Sequence, residues 1–123
     1  MTVTRPLAAF ACLNGAMAVA LGAFAAHGAG PAVKTLLTTG AQYQMVHALL
    51  AVACALWPNR DRLTVVAGWM AAGGGLIFSL ALSAIALLSL KAMGAVAPIG
   101  GGLVILAWLL LALCAVRAPS HSA

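Results

Sequence analysis

Residues 63–90 read LTVVAGWMAAGGGLIFSLALSAIALLSL, and this stretch decides the fold. It holds no charged side chain between Leu63 and Leu90. The hydrocarbon core of a bilayer is about 30 Å thick, and a helix needs roughly 20 apolar residues to cross it. The run is longer than that, so a tilted span is expected. Its apolar character is continuous rather than alternating, which excludes a barrel strand. Backbone groups cannot go unpaired in lipid, so the stretch must be a helix.

Working outward, three further segments have the same character, at about residues 7–26, 41–57 and 99–116. Of 123 residues, 65% are hydrophobic and 6% are charged, and the one acid is Asp61. A water-soluble domain needs a polar surface that this composition does not supply. The expected fold is all-α: one domain over residues 1–123, a bundle of four transmembrane helices.

Pro6 suits the start of the first span. The segment His27-Gly28-Ala29-Gly30-Pro31 marks its end. Residues Ala32–Thr39 are expected as a loop or a short interfacial helix with Lys34 on its polar side. Trp57-Pro58 closes the second span, and Asn59-Arg60-Asp61-Arg62 is a tight charged turn. Lys91 to Pro98 is expected as the third loop, and Arg117–Ala123 as a disordered tail. Arg5, the apolar stretch and Ala23-Phe24-Ala25 have the outline of a signal peptide, but the stretch exceeds a signal core, so retention is expected.

The formal charge of +5 comes from Arg5, Lys34, Arg60, Arg62, Lys91 and Arg117. These are scattered between spans and form no stripe that could follow a phosphate backbone, so nucleic acid is excluded as a partner. They read instead as topology signals. The arginines fall on one side and the two lysines on the other, which predicts both termini in the cytoplasm. Cys12, Cys54 and Cys114 are odd in number and lie in apolar stretches, unlike a disulfide framework. They read as small buried hydrophobes, with a soft-metal cluster as the sharper alternative.

The second span carries most of the chemistry. Ionisable groups within a span are costly, usually face the bundle interior and often mark function. Tyr43 and Gln44 precede His47 by four and three residues and can share its face of a helix. An imidazole, a phenol and an amide can therefore cluster. The bland reading is that they tie helices together, at about 0.6–2 kcal/mol per interhelical bond. The sharper reading is a ligand or proton site with Gln42, Tyr43, Gln44, His47 and His27, the last ending the first span on the same side. Two histidines can hold a metal or haem iron, but no third ligand is evident and no acid orients either ring. His121, in the tail, should not join them.

Ala18, Gly22 and Ala26 recur every fourth residue and make a face that another helix can approach closely. Asn14, Ser79 and Ser83 are candidates for interhelical bonds, and Gly100 and Gly101 for close packing. No paired acids, activated nucleophile or phosphate loop is present, so no enzyme is read here. The glycine runs of the last two spans have no counterpart in the first two, unlike an inverted-repeat transporter.

The segments Gly22-Ala23-Phe24-Ala25-Ala26-His27 and Thr39-Gly40-Ala41-Gln42-Tyr43-Gln44-Met45-Val46-His47-Ala48 resemble the YgdD-like small inner-membrane proteins, a family of unknown function with eukaryotic relatives. Pro98-Ile99-Gly100-Gly101 matches the family's proline and two glycines before the last span. Ala25 stands where the family has a second glycine, and Phe78-Ser79 are what remain of its third-span F-S-G-S-x-Y. The resemblance covers essentially the whole chain. It implies a four-helix inner-membrane protein and singles out His27, Gln42, Tyr43, Gln44 and His47 as a signature, without supplying an activity or a cofactor.

The functional expectation is a non-enzymatic integral inner-membrane protein, an accessory subunit of a larger complex or a homo-oligomer. The alternative is a module that binds or moves a quinone, lipid headgroup, metal or proton at the His27/His47 cluster.

Overall fold

The computed structural model describes residues 3–117; residues 118–123, including His121 and nearly all of the expected tail, lie outside the described residues. The described residues are helical almost throughout: α1 (Arg5–His27), α2 (Pro31–Leu56), α3 (Arg62–Leu88), a 3₁₀ turn at Lys91–Ala95, and α4 (Ala97–Arg117). α1 and α2 each begin with a proline in the first turn, where its missing N–H would have no intrahelical acceptor.

Residues 32–39 differ from the sequence expectation. They are not a loop but the first turns of α2, which runs unbroken from Pro31. Gly30 is extended (φ −70°, ψ 164°), and Pro31 then opens the helix. The proline acts as a start signal, not as the last element of a breaker. Leu37, within this stretch, is 1% exposed and packs inside the bundle. Similarly, the expected third loop is partly helical: it folds as the 3₁₀ turn and the first residues of α4. α3 ends at Leu88 because Ser89 turns left-handed (φ 55°) and the Leu90 N–H reaches the Ala84 carbonyl at 3.3 Å.

Neighbouring helices pack antiparallel in chain order. α2 lies between α1 and α3, and α3 between α2 and α4. At one end the Thr4 N–H donates to the Ala55 carbonyl (3.3 Å) and Arg60 Nε donates to Thr4 Oγ1 (2.8 Å). The start of α1 is thereby tied to the α2–α3 turn. Just inside this end all four helices contribute to one core, including Leu7, Ala11, Ala51, Cys54, Ala67 and Leu111. Most of these side chains are small, so the backbones approach closely.

Two glycine seams set that approach. A Cβ on Gly100 would sit 2.6 Å from Phe78 N and 2.7 Å from the Gly74 carbonyl, and one on Gly74 would sit 2.9 Å from the Gly100 carbonyl. α3 and α4 therefore cross backbone to backbone at this pair. On the other side of α3, a Cβ on Gly68 would meet Leu7 Cδ2 at 2.6 Å and Cys54 Cβ at 2.8 Å.

Asp61 caps α3, its Oδ1 accepting from the Thr64 N–H (3.1 Å) and the Thr64 hydroxyl (3.3 Å). The backbone bond from Thr64 is the largest influence and holds the carboxyl below the ordinary carboxylate range; desolvation, next in size, opposes it, and the Thr64 hydroxyl, the Leu63 N–H and Arg117 add to the lowering. A lowered folded pKa means that the cap contributes fully above the unfolded pKa and is lost as pH falls through the folded one. The thermal midpoint in detergent, followed by circular dichroism, should therefore fall below about pH 4. Asp61→Asn keeps a capping oxygen that does not titrate, and should remove that component of the acid-side fall.

Among the described residues, three stretches are long and apolar enough to cross a membrane: Arg5–His27, Arg62–Leu88 and Lys91–Arg117. α2 is not among them, because Lys34, Gln42, Tyr43, Gln44 and His47 dilute its hydropathy.

Candidate functional site

The polar residues of α2 separate into three directions. Gln44 and His47 are buried (1% and 4% exposed), Tyr43 is half exposed, and Gln42 points outward. Gln44 turns toward α1, where its Nε2 donates to Asn14 Oδ1 at 2.9 Å. Asn14 Nδ2 in turn donates to the Phe10 carbonyl one turn back, at 3.0 Å. Gln44 Oε1 is buried without a partner among the described residues.

His47 turns toward α4. Trp108 Nε1 donates to its Nε2 at 2.9 Å, and its Nδ1 lies 2.6 Å from the Tyr43 carbonyl. An indole N–H can only donate and a carbonyl can only accept. The two contacts together select the neutral tautomer with its proton on Nδ1. Both ring nitrogens are engaged within the chain, so neither is offered to a metal or a haem. A proton on Nε2 would set two donors face to face and release Trp108.

The structure does not bring His27 to this cluster. His27 is exposed at the end of α1, beside the start of α2. His47 lies roughly 24 Å along α2 from Pro31, at 1.5 Å per residue. Among the described residues no group of three or more His, Cys, Asp or Glu side chains is placed to hold a metal. Cys12 is exposed, Cys54 buried and Cys114 between the two.

The expected packing residues also divide. Ala18 is buried and a Cβ on Gly22 would lie 3.9 Å from Ala41 Cβ, but Ala26 is exposed, and Ala25 is buried instead. Ser79 meets Gly40, whose added Cβ would be 3.2 Å from Ser79 Cα; Ser79 Oγ and Ser83 Oγ are both buried without a partner among the described residues. Gly100 packs against α3. Gly101 does not pack: an added Cβ there meets nothing within 4 Å. It borders a cleft of about 320 Å³ lined by Tyr43, Gly75, Phe78, Gly101, Val104 and Ile105.

Trp108 escaped the sequence reading. A signal was present, since tryptophan prefers the membrane interface and one in mid-span needs an acceptor for its N–H.

The pattern of a family described as protein of unknown function (DUF423) matches residues 21–101, which include Tyr43, Gln44 and His47 but not Phe10, Asn14 or Trp108. The chain belongs to the DUF423 family. It is 34% identical over 112 residues to the UPF0382 membrane protein YwdK of Bacillus subtilis, covering 85% of this chain and 91% of that protein. It is 38% identical over 108 residues to a UPF0382 membrane protein of Haemophilus influenzae, covering 81% and 85%. A UPF0382 membrane protein of Staphylococcus epidermidis is 34% identical over 110 residues, covering 85% and 90%. No solved structure matches the chain. This DUF423 chain is thus a helical membrane protein of a family without an assigned activity.

Proposed function

We propose that the protein is a non-enzymatic, four-span inner-membrane protein that assembles through the outward face of α2, either with further copies of itself or as an accessory subunit. Gln42 carries this reading. Gln42, Val46, Leu49 and Ala53 recur at helical spacing and are all exposed. The stripe lies opposite the side that holds Gln44, Ala48, Ala51 and Ala55, all buried. α2 packs along both α1 and α3 and keeps Gln44 and His47 inside, which supports a fourth crossing despite its lower hydropathy. Gln42 would then face lipid, where an amide gains from a partner helix that supplies a donor and an acceptor.

The resemblance to the YgdD-like proteins supports an inner-membrane location. Arg5, Arg60, Arg62 and Arg117 gather at one end of the bundle, with Lys34 and Lys91 at the other, which supports cytoplasmic termini.

Native mass spectrometry of protein extracted gently from its own membrane tests the assembly. A larger species is expected, and Gln42→Leu should convert it to a folded monomer. A monodisperse monomer in the unsubstituted protein counts against the reading. A second reading, binding of a small lipid-soluble molecule, is favoured by the cleft beside Tyr43.

A further inference from the structure

We infer that the cleft between α2 and α4 binds the ring of a lipid-soluble carbonyl compound of the quinone class, drawn from the bilayer. The inference rests on the second reading above and names its ligand.

The cleft is built from three helices. Its floor is α3 at Gly75 and Phe78, and its walls are Tyr43 on α2 and Val104 and Ile105 on α4. One turn further along both walls lies the His47–Trp108 hydrogen bond, which ties α2 to α4 there. Gly101 has open space where a side chain would project, so its lack of one keeps the cleft open. The volume of about 320 Å³ lies at the small end of ligand sites and accommodates a single substituted ring.

The lining says what kind of molecule fits. Tyr43 and Phe78 present tilted rings 5.1 Å apart, a surface suited to another flat π-system. The Tyr43 hydroxyl has no hydrogen-bond partner among the described residues. Tyr43 adjoins Gln44, whose partner Asn14 is roughly 14 Å along α1 from Arg5 and 20 Å from His27. Deep within an apolar length, an unpaired phenol O–H favours a ligand with an acceptor. An acyl chain would fill the volume and leave the hydroxyl unpaired, whereas a ring carbonyl satisfies both. His47 contributes no second polar contact, since both of its nitrogens are used, so the site holds the ring without transferring protons or electrons.

The test is equilibrium binding of decylubiquinone to the full chain in phosphatidylcholine nanodiscs, read by quenching of tryptophan fluorescence, with Trp108 at the end of the cleft. Saturable quenching is expected above the linear collisional background. Gly101→Leu fills the cleft and should weaken binding at least about tenfold. Tyr43→Phe keeps the ring, loses the donor and should weaken binding about five- to tenfold. Gly102→Leu, also in open space but outside the lining, should leave it unchanged and controls for folding.

Saturable quenching that survives both Gly101→Leu and Tyr43→Phe overturns the inference. Decylbenzene, with the same tail and no carbonyl, separates the levels. If it displaces the quinone at equal concentration, the cleft stands and the carbonyl class falls. A stoichiometric phospholipid in native mass spectra that Gly101→Leu removes would likewise keep the cleft and replace the ligand. No saturable binding of either probe overturns both the ligand class and the cleft reading.

Discussion

Gly100→Val is expected to separate α4 from α3 and to cost the most of any single substitution considered. The added Cβ would lie 2.6 Å from Phe78 N, 2.7 Å from the Gly74 carbonyl and 3.0 Å from Phe78 Cα. All three are backbone atoms of a helix, which cannot swing aside as a side-chain tip can. Relief requires the helix axes to part over the length of the contact. Overpacking in a core costs about 1–3 kcal/mol where side chains can give, and more where they cannot. A cost of about 3 kcal/mol or more is therefore expected in reversible unfolding in detergent, beginning already with alanine. Gly101→Val, one residue on, meets nothing within 4 Å and should cost under about 1 kcal/mol. Equal losses at the two positions would mean that α3 and α4 do not cross at Gly74 and Gly100.

That contrast marks what the sequence could and could not convey. Gly73-Gly74-Gly75 and Gly100-Gly101-Gly102 read as packing features, but successive residues of a helix point about 100° apart. One triplet thus samples three directions, and sequence alone does not say which meets a neighbour. In the structure Gly74 meets α4, Gly75 meets α2 (its added Cβ 3.3 Å from His47 Cβ), and Gly73 meets nothing. The helices themselves were legible because charges are confined to their ends and their turns. The start of α2 was not, since proline both ends and begins helices and the Gly30-Pro31 pair admits either role. That one error carried the site with it. With residues 32–39 taken as loop, His47 falls two turns from His27; with those residues helical, it falls far down the bundle.

The polar pair at the centre gives the second large effect. His47→Leu should destabilise the bundle by about 1–3 kcal/mol, because it leaves the Trp108 N–H without its acceptor and removes the Nδ1 contact to the Tyr43 carbonyl, which keeps only its bond within the helix. Trp108→Phe should cost less, about 1 kcal/mol, since His47 keeps its Tyr43 contact. The double variant should cost less than the sum of the two, by about 0.6–2 kcal/mol, the range of interhelical hydrogen bonds in lipid. Strict additivity in this cycle would mean that the 2.9 Å contact contributes nothing and that α2 and α4 are held together elsewhere. The cycle also separates structure from function at His47. Trp108 bridges α2 and α4 across α3, so loss of the bond loosens one end of the cleft without filling it. If His47 only holds that end, quinone affinity in the His47→Leu and Trp108→Phe proteins, read by native mass spectrometry because Trp108→Phe removes the fluorescent reporter, should fall together and by the same factor. A larger fall for His47→Leu alone would give the imidazole a direct role at the ligand, which its two satisfied nitrogens argue against.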